Sequence, residues 1–201
     1  MLKILNVPNK SLVSSTKTVK KIDSKVRRLV KDMEKLLEIQ DDPPGVGLAA
    51  PQVGVNLTLF IIKPTPKAKM EVFINPKVVE DNSKSHPEFS SGSDLNQIPK
   101  QVRNDKKKDP TLNKKRKHTK LEGCLSIPRI WAPVRRGKTV KLTYQNEKGE
   151  KKTATFSGFK AIIIQHEIDH LNGVLFTQRS LEQGSQIYKE DKAGKLKKIE
   201  Y

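Results

Sequence analysis

Gly158–Leu171 reads GFKAIIIQHEIDHL. It has helical length, and Phe159, Ile162, Ile163, His166 and His170 recur at intervals of three, one, three and four, which puts them on one stripe of an α-helix. Gly173 follows, where a helix end favours a residue of positive φ. Residues 166–170 form an HExxH pattern. Histidines four apart lie one turn apart, about 5–6 Å between Cβ atoms, so both imidazoles can reach one metal ion. Glu167, one position round the helix, falls beside that ion and can act on a water there without being a ligand. Ionisable groups in an Ile-rich helix are costly to bury without a partner, and a metal is such a partner.

Two imidazoles need a third ligand. The continuation used by one protease class would need a histidine at 176, which is Phe176; Glu182 and Glu190 are the candidates for another. Cys124 is the better one. It stands in EGCLSIP (122–128), with Gly123 and Ser126 suggesting a constrained turn. A thiolate beside two imidazoles suits Fe(II), Zn(II), Co(II) or Ni(II), with a fourth position left to water. A third pattern, GVGLAAPQ at 45–52, carries small residues that permit close backbone approach, and Gln52 brings an amide donor able to face a developing oxyanion. It is no phosphate loop, because no Lys-Ser/Thr follows.

Around these patterns the sequence predicts an α+β fold: antiparallel or mixed sheets around a central HExxH helix, with an N-terminal amphipathic helix and a C-terminal tail. Ile22, Val26, Leu29, Val30, Met33, Leu36 and Leu37 mark one helix face, ended by Pro43-Pro44-Gly45. Residues 57–63 and 71–79 read as strands, the second interrupted at Pro76 and so an edge or a bend. Residues 139–144 and 152–157 alternate around a turn at Asn146–Gly149 and read as a hairpin.

The chain has 201 residues, which suits one domain, here 1–180, with a basic tail over 181–201. Its 34% hydrophobic content implies a modest core or chain outside it. No apolar run approaches the about 20 residues of a membrane span, and one cysteine cannot staple a secreted domain. No targeting segment is visible at the N-terminus. Net charge is +18, concentrated at 100–120, where ten Lys or Arg face only Asp105 and Asp109. With its Ser-, Asn- and Asp-rich flank this reads as an insertion over about 80–120, solvated and disordered, or else an electrostatic contact with RNA. It has no aromatic platform for single strands, and nothing in the chain resembles a zinc finger or a recognition helix, so specific DNA reading is excluded.

GVGLAAPQ, EGCLS and QHEIDH (165–170) resemble, in this order, the three signature motifs of the peptide deformylases. The resemblance extends over most of 1–180, 80–120 apart; Leu2–Pro8 looks like the family's opening strand. It implies removal of the formyl group from N-formylmethionine on nascent chains. Cys124, His166 and His170 would bind the metal, usually Fe2+. Glu167 would take a proton from water and pass it to the departing amine. Gln52 and the Leu125 N–H would hold the oxyanion. Val46, Gly47 and Gly123 would bind the substrate backbone, and Phe159, Ile162, Ile163 and Val46 would line the methionine pocket. Lys120 departs from the family, which often has an apolar residue there. The alternatives are an HExxH endopeptidase indifferent to formyl groups, and a basic RNA-associated protein with a structural metal. Ribosome association is expected from the basic surface, with Lys189, Lys192, Lys195, Lys197 and Lys198 contributing unless the terminus is frayed. The Lys- and Asn-rich insertion points to a plastid or mitochondrion rather than a bacterial cytoplasm.

Overall fold

A computed structural model describes residues 2–41, 44–81 and 121–200. Its elements begin with α1 (Ser24–Glu38), β1 (Gly47–Ala49), β2 (Leu59–Ile62), β3 (Glu71–Asp81), β4 (Leu121–Cys124) and β5 (Ile127–Pro133). They continue with β6 (Thr139–Gln145), β7 (Lys151–Ser157), α2 (Gly158–Leu171), α3 (Phe176–Glu182), β8 (Tyr188–Glu190) and β9 (Leu196–Lys198). One antiparallel sheet runs β1-β2-β3-β6-β7 and a second β4-β5-β8-β9. The α+β expectation holds.

The first sheet explains the unbroken apolar run of β2. Side chains alternate across a strand. Leu59 and Ile61 pack with Val26, Val30, Met33 and Leu37 of α1, whereas Phe60 and Ile62 pack with Ala161, Ile163 and Ile164 of α2. Val72 and Ile74 join the α1 side of β3, and Phe73 joins the α2 side. A strand covered on both faces has no polar positions to alternate with. Phe60 and Phe73 stack at 4.7 Å, and full burial of each such ring contributes about 1.5–3 kcal/mol.

Several local expectations change. α1 starts at its Asp23 cap, which accepts from the Lys25 and Val26 N–H groups, and it ends at Glu38, ahead of the Pro-Pro-Gly stretch. Gln40 closes it by donating to the Leu36 carbonyl. β3 is an inner strand, so of the two readings of Pro76 the bend holds: the register with β6 shifts between Ile74 and Lys77, beyond the last β2 partner. There Asn75 takes φ 50°, stabilised by its side chain on both the N–H and the carbonyl of Val19. Leu2–Pro8 forms no ladder strand. It crosses two of the motifs instead, Leu5 donating to the Gln52 carbonyl and Val7 to the Ser126 carbonyl. Residues 181–200 carry the end of α3 and a β8–β9 hairpin that pairs with β5, and Ile187 is buried in the cluster that contains Cys124. Most of the expected insertion, Lys120 included, falls in 82–120, outside the described residues.

Candidate active site

α2 occupies the whole of Gly158–Leu171, ending where Gly173 at φ 72° turns the chain. A Cβ at 173 would meet the Val13 and Ser14 backbone at 2.7–2.8 Å, so glycine is required there twice over. The helix packs Ala161, Ile163 and Ile164 against the first sheet, and Glu167, Asp169 and His170 are buried along its length. β4 delivers Cys124 to this face from the turn that precedes β5. Cys124 Sγ lies 3.2 Å from His170 Nε2, and ligand atoms of Cys124, His166 and His170 lie within 4.8 Å of one another. The histidine rings stand 5.0 Å apart, nearly perpendicular.

The donor chemistry fits a divalent cation. Burial opposes ionisation of the Cys124 thiol, but His170 and His166 outweigh it and hold the thiol well below its usual range, as a thiolate able to ligate. His166 Nδ1 lies 3.1 Å from Glu122 Oε2. Burial raises the Glu122 carboxyl, yet Arg136 and His166 bring it down to about 2, so it is an ionised acceptor and Nδ1 must donate. That leaves His166 Nε2 facing inward. Glu167 Oε2 is buried with no hydrogen-bond partner among the described residues, as expected of a carboxylate that faces a cation's water. Burial pushes the Glu167 carboxyl up to about 7, against the pull of the two imidazoles, which suits a proton acceptor near neutral pH.

The other predicted residues assemble at the same place. Gln52 is 2% exposed. Its Oε1 accepts from the Ala49 N–H at 2.8 Å, which turns Nε2 toward Cys124 Sγ at 3.5 Å and Ser126 Oγ at 3.2 Å. A cleft of about 980 Å³ opens on the group, lined by Val46, Gly47, Gln52, Gly123, Cys124 and Leu125 on one hand and by Phe159, Ile162, Ile163, His166 and Glu167 on the other. His170 alone among the predicted residues is not on its surface. Gly47 touches Glu167 so closely that a Cβ would collide with the carboxylate, which accounts for a glycine in the first motif. The rejected ligand candidates are engaged elsewhere, Glu182 with Arg179 and Glu190 with the Trp131 Nε1–H. Phe176, where a third histidine was considered, packs 5.9 Å from the His166 ring.

What the sequence reading missed is the ion-pair network behind the site. Arg136, 6% exposed, grips Glu122 through Nε at 2.8 Å and Nη2 at 2.9 Å, and gives Nη1 to Asp169. Arg179 takes the other Asp169 oxygen at 2.9 Å. Glu122 and Asp169 lie inside the quoted motifs, so their positions were legible; that one arginine joins them was not.

A buried thiolate, two imidazoles and an unpaired carboxylate on an α+β scaffold define a class, the metal-dependent hydrolases. The polypeptide deformylase family profile matches residues 1–186. The peptide deformylase of Borreliella burgdorferi is 39% identical over 169 residues, 84% of this chain and 81% of that protein. That of Neisseria gonorrhoeae is 34% identical over 187 residues, 92% and 90% of the two. A Synechococcus elongatus peptide deformylase crystallised with actinonin superposes with a TM-score of 0.65 at 32% identity, covering 89% of this chain and 78% of that one. A plant peptide deformylase gives 0.68 at 31%, covering 90% and 82%. The chain belongs to the polypeptide deformylase family, metal-dependent hydrolases that remove the formyl group from N-formylmethionine at the start of new polypeptides. Among the described residues no helix is long and apolar enough to cross a membrane.

Proposed function

We propose that Cys124, His166 and His170 hold Fe2+, with Zn2+, Co2+ or Ni2+ able to replace it, and that Glu167, Gln52 and Leu125 carry the chemistry. The observation that supports this most is the convergence of one thiolate and two imidazoles within 4.8 Å, beside a buried carboxylate with an unpartnered oxygen. A cation held by Cys124, His166 and His170 would supply Lewis acidity and lower the pKa of its water toward neutral. Glu167 takes the proton of the attacking water and returns it to the leaving amine. The water oxygen joins the formyl carbon, the C–N bond breaks, and formate and a free N-terminal methionine leave. Gln52 Nε2 and the Leu125 N–H donate to the carbonyl oxygen as it gains charge. Gln52 is pre-aimed, because Ala49 fixes its other end. Val46, Gly47 and Gly123 align the peptide backbone, and Phe159, Ile162 and Ile163 receive the methionine side chain. The formyl carbon bears only hydrogen, so crowding at this point rejects larger acyl groups.

The test is anaerobic purification, with metal content and turnover of a formyl-Met peptide measured on one batch of wild type and of Glu167→Gln. The variant keeps one metal per chain and loses nearly all turnover; turnover at the wild-type rate removes Glu167 from the mechanism.

The same reading takes 1–180 as catalytic domain with an insertion at about 80–120, and places the protein in an organelle stroma or matrix on the Lys- and Asn-rich composition of that insertion, with bacterial cytoplasm as the alternative. Cell fractionation decides between them. The basic β8–β9 hairpin supports contact with the ribosome, where formylated chains emerge. Ribosome pelleting across a salt series checks it, comparing wild type with a chain whose Lys189, Lys195 and Lys197 are replaced by Gln.

A further inference from the structure

We propose that Trp131 is a specificity-determining wall of the cleft, reading an apolar side chain on the residue that follows formylmethionine, and that Glu190 of the C-terminal hairpin holds it in place. The proposal rests on the active-site assignment above. Trp131 is the one tryptophan of the chain, is half-buried on β5, and lines the cleft. Its Nε1–H donates to Glu190 Oε2 at 2.7 Å, so the polar edge of the indole is already satisfied by β8. The opposite edge lies over Gly123: a Cβ there would meet Trp131 Cζ3 at 2.8 Å and Cε3 at 2.9 Å. The ring therefore stands beside the residue next to Cys124, on the strand along which the peptide backbone is proposed to lie. What it offers the cleft is hydrocarbon surface, joined by Leu121, which is 37% exposed. The methionine side chain has other walls, from α2, so Trp131 meets a different part of the peptide.

The hairpin fixes this stretch of β5 at three further points. Ile130 pairs with Lys189, Trp131 pairs with Tyr188, and Arg129 Nη1 reaches the Asp191 carbonyl. Arg129 itself sits at φ 60°, a conformation that a non-glycine residue keeps only where its surroundings enforce it. β8 begins at Tyr188, beyond the last residue matched by the family profile. The buttress of Trp131 thus lies in the C-terminal segment that follows the profile's match.

The experiment compares kcat/KM of the metal-loaded enzyme on formyl-Met-Phe, formyl-Met-Leu and formyl-Met-Gly. Wild type favours Phe and Leu over Gly by about tenfold, carried in KM, which corresponds to about 1.4 kcal/mol. Trp131→Ala brings that ratio close to one, Trp131→Phe retains most of it, and Glu190→Ala lowers it while Glu190→Gln does not. A second readout needs no turnover. Emission from Trp131 in Glu167→Gln shifts on titration with formyl-Met-Phe at about one tenth of the concentration needed with formyl-Met-Gly. A ratio unchanged in Trp131→Ala, or emission blind to both peptides, overturns the proposal. Failure of the metal-loaded wild type to turn over any of the three peptides would instead overturn the active-site assignment.

Discussion

Replacing Arg136 by methionine should cost more than any surface substitution in this protein and should loosen the cation as well. Arg136 is 6% exposed and makes a two-bond contact with Glu122 and a further one with Asp169. Methionine fills much of its volume and leaves two carboxylates facing each other out of water. Asp169 keeps Arg179, but among the described residues Glu122 keeps only His166. Breaking a buried pair by removing one partner costs about 3–5 kcal/mol, most of it the uncompensated charge. For a domain of this size that is a fall in Tm of about 10 °C. Thermal unfolding followed by circular dichroism, with chelator present so that bound metal does not contribute, measures it. Glu122 also orients His166, so metal affinity drops about 10–100-fold in competition with a chelator. The double variant Arg136→Met with Glu122→Gln removes the stranded charge, and its Tm should recover part of the loss. A loss below about 1 kcal/mol for Arg136→Met, or a double variant that loses the sum of the two singles, would refute the reasoning.

Gly47→Ala puts a methyl group into the Glu167 carboxylate, so kcat should fall about 100-fold with the metal retained; a rate within a few-fold of wild type shows that Glu167 tolerates displacement. Gln52→Ala removes one oxyanion donor and should lower kcat about 10²–10³-fold with metal content unchanged, read by steady-state kinetics on the metal-loaded protein. Glu122, held at about 2 in the fold against an ordinary carboxylate value near 4.5, contributes stability that is fully present above about pH 4.5 and is lost as pH falls toward 2. Stability of the metal-free protein should therefore fall less steeply between about pH 4.5 and 2 when Glu122 is replaced by Gln, because the proton-linked group is gone; the same pH slope in both proteins removes Glu122 as a contributor.

Much of this arrangement was written in local pattern. The extent of α2 followed from periodicity and from Gly173, and the HExxH spacing put two imidazoles on one face because four residues make about one turn. The β6–β7 hairpin followed from alternation around Asn146–Gly149. What local pattern does not carry is pairing between distant segments. Arg136 looks like one of many arginines until β5 ends beside α2 and presents it to Glu122 and Asp169 at once. The terminal segment reads as a charged tail, because three-residue strands such as β8 and β9 have no period long enough to detect; their stability comes from β5. Pro76 reads as an edge marker because a missing N–H is cheapest there, yet the shifted register at Asn75 allows it inside the sheet. Gly47 was legible as a small residue near the site, but the carboxylate it makes room for comes from 120 residues away.

The central claim is that one sulfur and two imidazole nitrogens share one cation that hydrolyses formyl groups. X-ray absorption at the metal edge of anaerobically purified, active protein tests it most directly. The account predicts one sulfur scatterer at about 2.3 Å and two imidazole nitrogens at about 2.0–2.1 Å, with the sulfur lost in Cys124→Asp. A metal shell without sulfur in fully active wild-type protein would contradict it.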